Sequence, residues 1–183
     1  MMPMSVSLTW GTTPEERLFA FPCDRHVEDF DQAYYRGITI RASSETIFCW
    51  LCQMRVAPYS YDWIDNFGHQ SPRKLIPGMS HLEIGQSIMT IFELVEFETN
   101  RQMTIRNKKK AGGSKIFGDV WVSYLIREQA TSMCRLLAKV IVRYPAGPIG
   151  WMGRTLLPWG DLIMMRRQLL NFKILAECTT TGV

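Results

Sequence analysis

The fold is decided by the stretch from Trp159 to Cys178, which reads WGDLIMMRRQLLNFKILAEC. Its apolar residues recur at alternating spacings of three and four, the pattern of one buried stripe along a helix: Leu162, Met165, Leu169, Phe172 and Ala176. Ile163, Leu170 and Ile174 are expected to widen this stripe. Pro158 fits the first turn, where its missing N–H costs no hydrogen bond. The sequence therefore predicts a long helix that begins at Trp159.

A helix of this length spans about 30 Å and needs a broad apolar partner. The middle of the chain is rich in predicted strands: Tyr35–Arg41, Gln86–Glu93, Leu94–Glu98, Gln102–Asn107, Asp119–Glu128 and Thr131–Tyr144. Gln129 and Ala130 are predicted to form the tight reversal between the last two. Asp161 is expected near the N-terminal end of the helix, where the dipole favours a negative charge. We therefore predict a curved antiparallel sheet that closes on the C-terminal helix.

Two short helices are predicted after the first strand. Ser43 or Ser44 can cap a helix that runs through Ile47 to Met54, and the segment ends at Pro58. The aromatic stretch Tyr59–Asn66 is predicted to form the second helix. The basic run Lys108–Ser114 has the composition of an exposed hairpin turn.

Composition sets limits on the class of protein. A chain of 183 residues with 46% hydrophobic residues fits one core, so we expect an N-terminal arm over residues 1–33 and a single domain over residues 34–183. The net charge of +4 comes from scattered basic residues, which argues against a nucleic-acid partner. Five cysteines without framework spacing suit a reducing compartment. Met1–Ser7 lacks a signal-peptide pattern and no apolar run reaches membrane-span length, so we expect a soluble, cytoplasmic protein.

Several local strings occur in an order that resembles a known superfamily. They are Tyr35–Ile40 leading into Ser44–Met54, then Tyr59–Trp63, Gly85-Gln86 and Met164–Leu170. In this order they resemble the START/Bet v 1-like (SRPBCC) superfamily, and within it an uncharacterised bacterial branch called polyketide cyclase/dehydrase-like. The resemblance implies an α+β helix-grip fold, with a curved antiparallel sheet around the C-terminal helix and two short helices after the first strand. It also implies an apolar cavity between sheet and helix. Arg55–Pro58 departs from the Gly-rich link of that branch.

The cavity that the resemblance implies gives a set of candidate site residues. The predicted ligand-binding residues are Trp50, Tyr59, Tyr61, Trp63, Trp121, Met165, Leu169 and Phe172. Tyr61, Asp62 and Arg127 are the catalytic candidates, because phenol, carboxyl and guanidinium groups can handle protons. The alternative is that Trp63 and one tyrosine only pack, while Asp62 bonds the backbone.

Other motifs predict no further chemistry. Cys49 and Cys52 match CxxC, but they fall inside a predicted helix rather than at its N-terminus, so we interpret them as core thiols. His26, His69 and His81 have no metal-binding spacing, and the chain contains no P-loop, GxGxxG or GxSxG motif. We therefore expect neither a metal nor a cofactor.

Three hypotheses about function remain open. The first is a module that binds a small hydrophobic or amphipathic molecule, such as a lipid, polyketide-like or isoprenoid compound. The second is an aromatase/cyclase-type enzyme that uses the same cavity, and the third is an interaction protein with a filled interior. The Gly- and Pro-rich segment Pro148–Leu157 is apolar, so it marks a lid, an interface or a rim that transiently contacts a membrane, unless it simply packs on the sheet.

Overall fold

The computed structural model describes residues 5–65, 68–108 and 118–181. Apart from Lys108, the predicted hairpin turn at Lys108–Ser114 lies outside these residues. The helices are α1 (Val6–Thr9), α2 (Ser44–Cys52), α3 (Asp62–Asp65) and α4 (Pro148–Thr181), and short 3-10 turns cover Glu16–Leu18, Pro22–Arg25 and Gln53–Arg55. The strands are β1 (Gln32–Ile40), β2 (Ser87–Ile88), β3 (Phe92–Glu98), β4 (Gln102–Asn107), β5 (Asp119–Ala130) and β6 (Met133–Arg143).

The strands form one six-stranded sheet in the order β1-β6-β5-β4-β3-β2. Every neighbouring pair is antiparallel. Helices α2 and α4 pack on one face of this sheet, which we call the inner face, and they enclose the main core. The predicted α+β arrangement, an antiparallel sheet that holds a long C-terminal helix, is therefore confirmed.

The outer face of the sheet is covered by the N-terminal arm. Phe21 and Cys23 of the arm are buried against Leu125, Leu137 and Ile141 of the sheet. Two ion pairs with little exposure hold the arm in place, Lys139–Asp24 and Arg135–Glu16. Because the arm covers the outer face, β5 is buried on both sides from Trp121 to Ile126, and Trp121 and Leu125 are buried apolar residues on the outer side.

The ends of the short helices and strands differ in part from those predicted. Ser43 is the helix cap, since its hydroxyl accepts a 3.2 Å bond from the N–H of Thr46. The predicted helix over Tyr59–Asn66 begins later than expected, because Tyr59 has a positive φ of 57° and the helix starts at Asp62; it is described as far as Asp65, and Asn66 lies outside the described residues. A turn with positive φ at Met89 and Thr90 interrupts the predicted strand Gln86–Glu93.

The β5–β6 reversal also differs from the prediction. Strand β5 continues through Gln129 and Ala130, and the chain turns at Thr131 and Ser132. Ser132 adopts a φ of 56°, the left-handed conformation that closes the turn.

Helix α4 begins at Pro148, so the predicted start at Trp159 is wrong. Pro158 lies inside the helix, and the Gly- and Pro-rich segment forms its first turns. The glycines have a packing reason: a Cβ on Gly150 would lie 1.8 Å from the carbonyl oxygen of Pro145, and one on Gly153 would lie 3.2 Å from the Tyr144 ring. Asp161 consequently lies mid-helix, away from the N-terminal dipole.

The predicted apolar stripe of this helix is buried as expected. Leu162, Met165, Leu169, Phe172 and Ala176 are all at most 9% exposed. The expected widening of the stripe is wrong for Ile163 and Ile174, because these residues lie on the opposite side of α4 and are 54% and 53% exposed. No helix among the described residues is long and apolar enough to cross a membrane.

Candidate functional site: a cavity under the C-terminal helix

A cavity of about 400 Å³ lies between the inner face of the sheet and helix α4. Most of its lining is aliphatic, aromatic or thioether: Val120, Val122, Val140, Met89, Ile91, Phe92, Ile64, Met164 and Met165. Pockets of this size and character are typical of small-molecule sites. Ile64 and Ile91 are 51% and 47% exposed, so the cavity reaches the surface between α3 and the β2–β3 turn. We call this opening the cavity mouth.

One polar group on the wall is a buried pair, Tyr124 and Gln168. The Tyr124 hydroxyl donates a 2.7 Å hydrogen bond to Oε1 of Gln168. Gln168 Nε2 in turn donates a 2.6 Å bond to the carbonyl of Pro58. Burial raises the pKa of the Tyr124 phenol, which keeps it protonated. The pair is a neutral, fixed polar patch in an apolar wall.

The second polar group is the carboxyl of Asp161, which is held by Arg36. The guanidinium of Arg36 is 0% exposed and donates to Asp161 Oδ2 from Nε at 3.1 Å and from Nη2 at 2.7 Å. Nη2 also donates to the carbonyls of Ser7 at 2.7 Å and Pro158 at 3.4 Å, and Nη1 donates to the carbonyl of Tyr35 at 3.0 Å. The guanidinium is thus fixed by strand β1 and the arm, and it orients the carboxyl on α4.

Asp161 keeps a side open to the cavity. Its side chain is 20% exposed and lines the cavity, and Oδ1 has no hydrogen-bond partner among the described residues. Burial raises the pKa of Asp161 to about 6, and the favourable charge of Arg36 offsets only part of that rise. A carboxyl group that titrates close to neutral pH therefore faces an apolar space, the combination that suits proton transfer or a hydrogen bond to a ligand.

Of the eight predicted ligand-binding residues, Met165 is the one that lines this cavity. Trp50, Tyr59, Leu169 and Phe172 are at most 1% exposed and belong to the core, and Tyr59 also borders a surface pocket. The Tyr59 ring lies 5.9 Å from Trp50 and 5.5 Å from Phe172, measured between ring centroids. The predicted hollow is present over the part of α4 around Asp161 to Gln168.

Trp121 lies on the outer face of β5, so its predicted place on the cavity wall is wrong. It packs with the arm cluster, and the ring of His26 stacks on it at a centroid distance of 5.2 Å. The alternation of strand residues sends Val120, Val122 and Tyr124 inward and Trp121 outward.

The catalytic candidates do not meet at one site. Tyr61, Asp62 and Trp63 line a separate surface pocket of about 380 Å³, together with Arg167 and Asn171. Asp62 accepts hydrogen bonds from the backbone N–H and the hydroxyl of Ser71, so its carboxylate fixes the loop that contains Ser71. Trp63 is 76% exposed.

Arg127 does not line this pocket; it lines a different surface pocket, of about 690 Å³, with Ala20, Phe21 and Leu125 on the outer face of the sheet. Its guanidinium carbon lies 4.4 Å from the centre of the Phe19 ring of the arm. The geometry therefore gives Arg127 a packing contact with the arm and no place at the cavity.

The CxxC thiols lie where the sequence predicts, inside α2. Burial raises the pKa of Cys52 to about 12 and also raises that of Cys49, so neither is a ready thiolate. His26 bonds Glu96 at 2.9 Å. Among the described residues no group of three His, Cys, Asp or Glu side chains could hold a metal ion.

Comparison with solved structures places this fold. Protein jhp0584 from Helicobacter pylori superposes with a TM-score of 0.55 at 14% identity, over 86% of this chain and 95% of that chain. The Zhui aromatase/cyclase from Streptomyces sp. R1128 gives a TM-score of 0.52 at 14% identity, over 81% and 95%. The protein shares the helix-grip fold of these two structures.

A further helix-grip neighbour is the di-domain ARO/CYC protein StfQ from the steffimycin biosynthetic pathway. Its TM-score is 0.51 at 11% identity, over 88% of this chain and 55% of that chain. Neither a protein-family model nor a curated protein sequence matches the chain. At these identities the likeness establishes the helix-grip fold and carries no residue roles.

Sequence reasoning missed the polar residues of this helix-grip cavity: Arg36, Tyr124, Asp161 and Gln168. A signal existed for three of them. Asp161 and Gln168 fall on the same helical face as Met165 and Phe172, and Arg36 alternates with Ile38 and Ile40 on the inward side of β1. A polar residue at a position that the sequence pattern predicts to be buried is unusual, and such residues are the first to examine for function.

Proposed function

We propose that this helix-grip domain binds a small hydrophobic or amphipathic molecule in the cavity under α4. The observation that carries the proposal is the apolar space of about 400 Å³ between the sheet and the helix. Removing a ligand's apolar surface from water contributes about 25 cal/mol per Å², so a largely aliphatic wall is sufficient for binding. Met165 is the sequence-predicted residue that we place against the ligand.

The polar groups of the wall favour an amphipathic ligand. Asp161 offers the free Oδ1, and Tyr124 and Gln168 provide a fixed neutral dipole. A hydroxyl or carbonyl group on an otherwise apolar body can bond to these groups, while the body contacts the valines and methionines. Lipid, isoprenoid and polyketide-like molecules all have this character.

Titration with a neutral apolar fluorophore tests this function. 1-Aminoanthracene is expected to bind one per protein with blue-shifted, enhanced emission, and long-chain alcohols are expected to displace it. Saturable binding that a long-chain alcohol competes away supports the cavity. A non-saturable signal, or one that alcohols leave unchanged, contradicts it.

Asp161 favours a second candidate function, an aromatase/cyclase-type enzyme. A carboxyl with a pKa of about 6 can both donate and accept a proton near neutral pH. The cavity would hold a reactive chain in a folded conformation, and Asp161 would transfer protons between its carbons. In that case Asp161→Asn abolishes cyclisation of a poly-β-ketone substrate while probe affinity persists. If the wild-type protein does not accelerate cyclisation, the binding function stands alone.

Probe affinity is expected to fall as pH rises through about 6. An apolar probe displaces water from Asp161, which penalises the charged carboxylate and raises the pKa of the bound form further. If binding raises that pKa by one unit, affinity is about tenfold weaker at about pH 8 than at about pH 5. Fluorescence titration at a series of pH values measures this.

Asp161→Asn is the matched control for the pH experiment, because an amide of the same shape does not titrate. Its affinity is expected to be flat across the series, with folding checked by circular dichroism at each pH. An equal pH dependence in wild type and variant, or none in wild type, contradicts the assigned role of Asp161.

A further inference from the structure

Helix α4 carries a second apolar stripe on the side that faces away from the sheet. Its members recur at spacings of three and four and are half exposed: Ile149 (52%), Met152 (53%), Leu156 (59%), Trp159 (49%) and Ile163 (54%). Ile174 continues the same side of the helix at 53% exposure. We call these six residues the outer stripe. Scattered exposed apolar residues need no explanation, but a row in helical register on one face marks an interaction surface.

The unpaired charges beside the outer stripe are basic, and the acidic Glu177 near its C-terminal end is paired with Lys173 at 3.3 Å. Arg166 and Arg167 are exposed, and neither has a carboxylate partner among the described residues. The guanidinium carbons lie instead over aromatic rings, that of Arg166 at 5.7 Å from Trp10 and that of Arg167 at 5.8 Å from Tyr61. Asp161, the acidic residue in this part of α4, faces the cavity. The face therefore combines apolar side chains with uncompensated positive charge.

This surface continues to the cavity mouth. Trp63, 76% exposed, lines a surface pocket together with Arg167 and Ile174. The next residue, Ile64, lines the cavity with Met164 of α4. Exposed apolar groups thus extend from the outer stripe, across α3, to the place where the cavity reaches the surface.

We propose that the outer stripe docks the protein on the surface of an anionic phospholipid bilayer. Helices that lie in a membrane interface present tryptophan and aliphatic residues on one side and basic residues beside them, as this face does. Tryptophan side chains such as Trp63 and Trp159 favour the headgroup level. Each basic residue near an anionic surface adds to the attraction. A second copy of the chain fits less well, because it would bring an equally basic face against this one.

Docking in this orientation turns the cavity mouth toward the lipid. A hydrophobic molecule could then pass between bilayer and cavity without crossing water. The docking proposal concerns the outer side of α4, however, and does not require a ligand in the cavity. Membrane docking and ligand binding can therefore fail independently.

Vesicle flotation tests the docking surface. Wild-type protein is expected to float with vesicles of phosphatidylcholine and phosphatidylglycerol, and much less with phosphatidylcholine alone. Leu156→Glu is expected to weaken binding by about tenfold, because a leucine no longer enters the interface. Arg167→Gln is expected to weaken vesicle binding by about fivefold, because that is what one basic residue contributes near an anionic surface.

Leu18→Glu is the matched control, since Leu18 is 85% exposed and lies in the arm over the opposite face of the sheet. It is expected to float like wild type. The proposal is overturned if wild type does not bind the anionic vesicles, or if Leu156→Glu and Leu18→Glu behave alike. It is also overturned if light scattering shows a dimer that Leu156→Glu converts to a monomer, because the stripe is then a self-interface. Titration of all variants with 1-aminoanthracene reports the cavity separately.

Discussion

Replacing Arg36 with Met is expected to destabilise the fold by about 3–5 kcal/mol near neutral pH. The Arg36 guanidinium is fully buried and bonds Asp161, Ser7 and Tyr35. Without it, the Asp161 carboxyl loses its compensating charge in a low-dielectric site, which raises its pKa further. The carbonyls of Ser7, Tyr35 and Pro158 each lose a donor. Urea unfolding followed by tryptophan fluorescence measures the free energy difference.

The pH dependence separates the ion pair from the hydrogen bonds. The pKa of Asp161 is raised to about 6, so the carboxyl is largely neutral at about pH 5, where the lost charge matters less. The destabilisation by Arg36→Met is therefore expected to be smaller at about pH 5 than at about pH 8. The double variant Arg36→Met/Asp161→Leu is expected to recover part of the loss, because no unpaired charge is then buried.

The control for Arg36 is Arg101→Met. Arg101 pairs with Glu98 at 2.9 Å, but the two side chains are 65% and 49% exposed. An exposed pair of this kind contributes at most about 1 kcal/mol. Equal costs for the two arginine variants, or a double variant no more stable than Arg36→Met alone, would show that the buried pair does not hold β1 to α4.

Replacing Val140 with Phe is expected to weaken binding in the cavity by about a hundredfold. Val140 is 2% exposed and its side chain lines the hollow. A phenyl ring there occupies space that the ligand needs, and losing contact with three or four methylene groups, at about 0.8 kcal/mol each, weakens affinity by about a hundredfold. The fold is expected to tolerate the ring because it enters empty space.

Val142→Phe is the matched control for this variant. Val142 faces the same side of β6, is equally buried at 2% and is not among the cavity residues. Overpacking there is expected to cost about 1–3 kcal/mol in stability and to leave probe affinity unchanged in the folded protein. If Val140→Phe binds the probe as tightly as wild type, the ligand does not occupy this cavity.

The fold was largely predictable because its main signals are local. The core stripe of Leu162 to Ala176 and the alternation in β5 and β6 are readable from spacing alone. The start of α4 was not predictable from spacing, because proline and glycine, here Pro158, Gly150 and Gly153, normally end helices. The glycines are explained by tertiary contacts, because they allow Tyr144 and Pro145 to approach the helix closely.

The candidate site was less predictable because tertiary contacts create it. Arg36 and Asp161 are separated by 125 residues, and their pairing depends on how β1 meets α4. Trp121 was assigned to the wrong side because the arm buries part of the outer face of β5, so apolar residues such as Trp121 and Leu125 also occur on that side. Whether Trp50 and Phe172 line a hollow or fill it is a question of packing volume, which sequence pattern does not encode.

Mass spectrometry under native conditions, applied to the wild-type protein and to Val140→Phe, tests the cavity most directly. We expect wild type to carry a small apolar molecule, either co-purified or added as 1-aminoanthracene at one per chain. Val140→Phe is expected to carry much less under the same conditions. Equal occupancy of the two proteins, or an empty wild type that takes up neither the fluorophore nor a long-chain alcohol, would contradict a binding role for the space beneath α4.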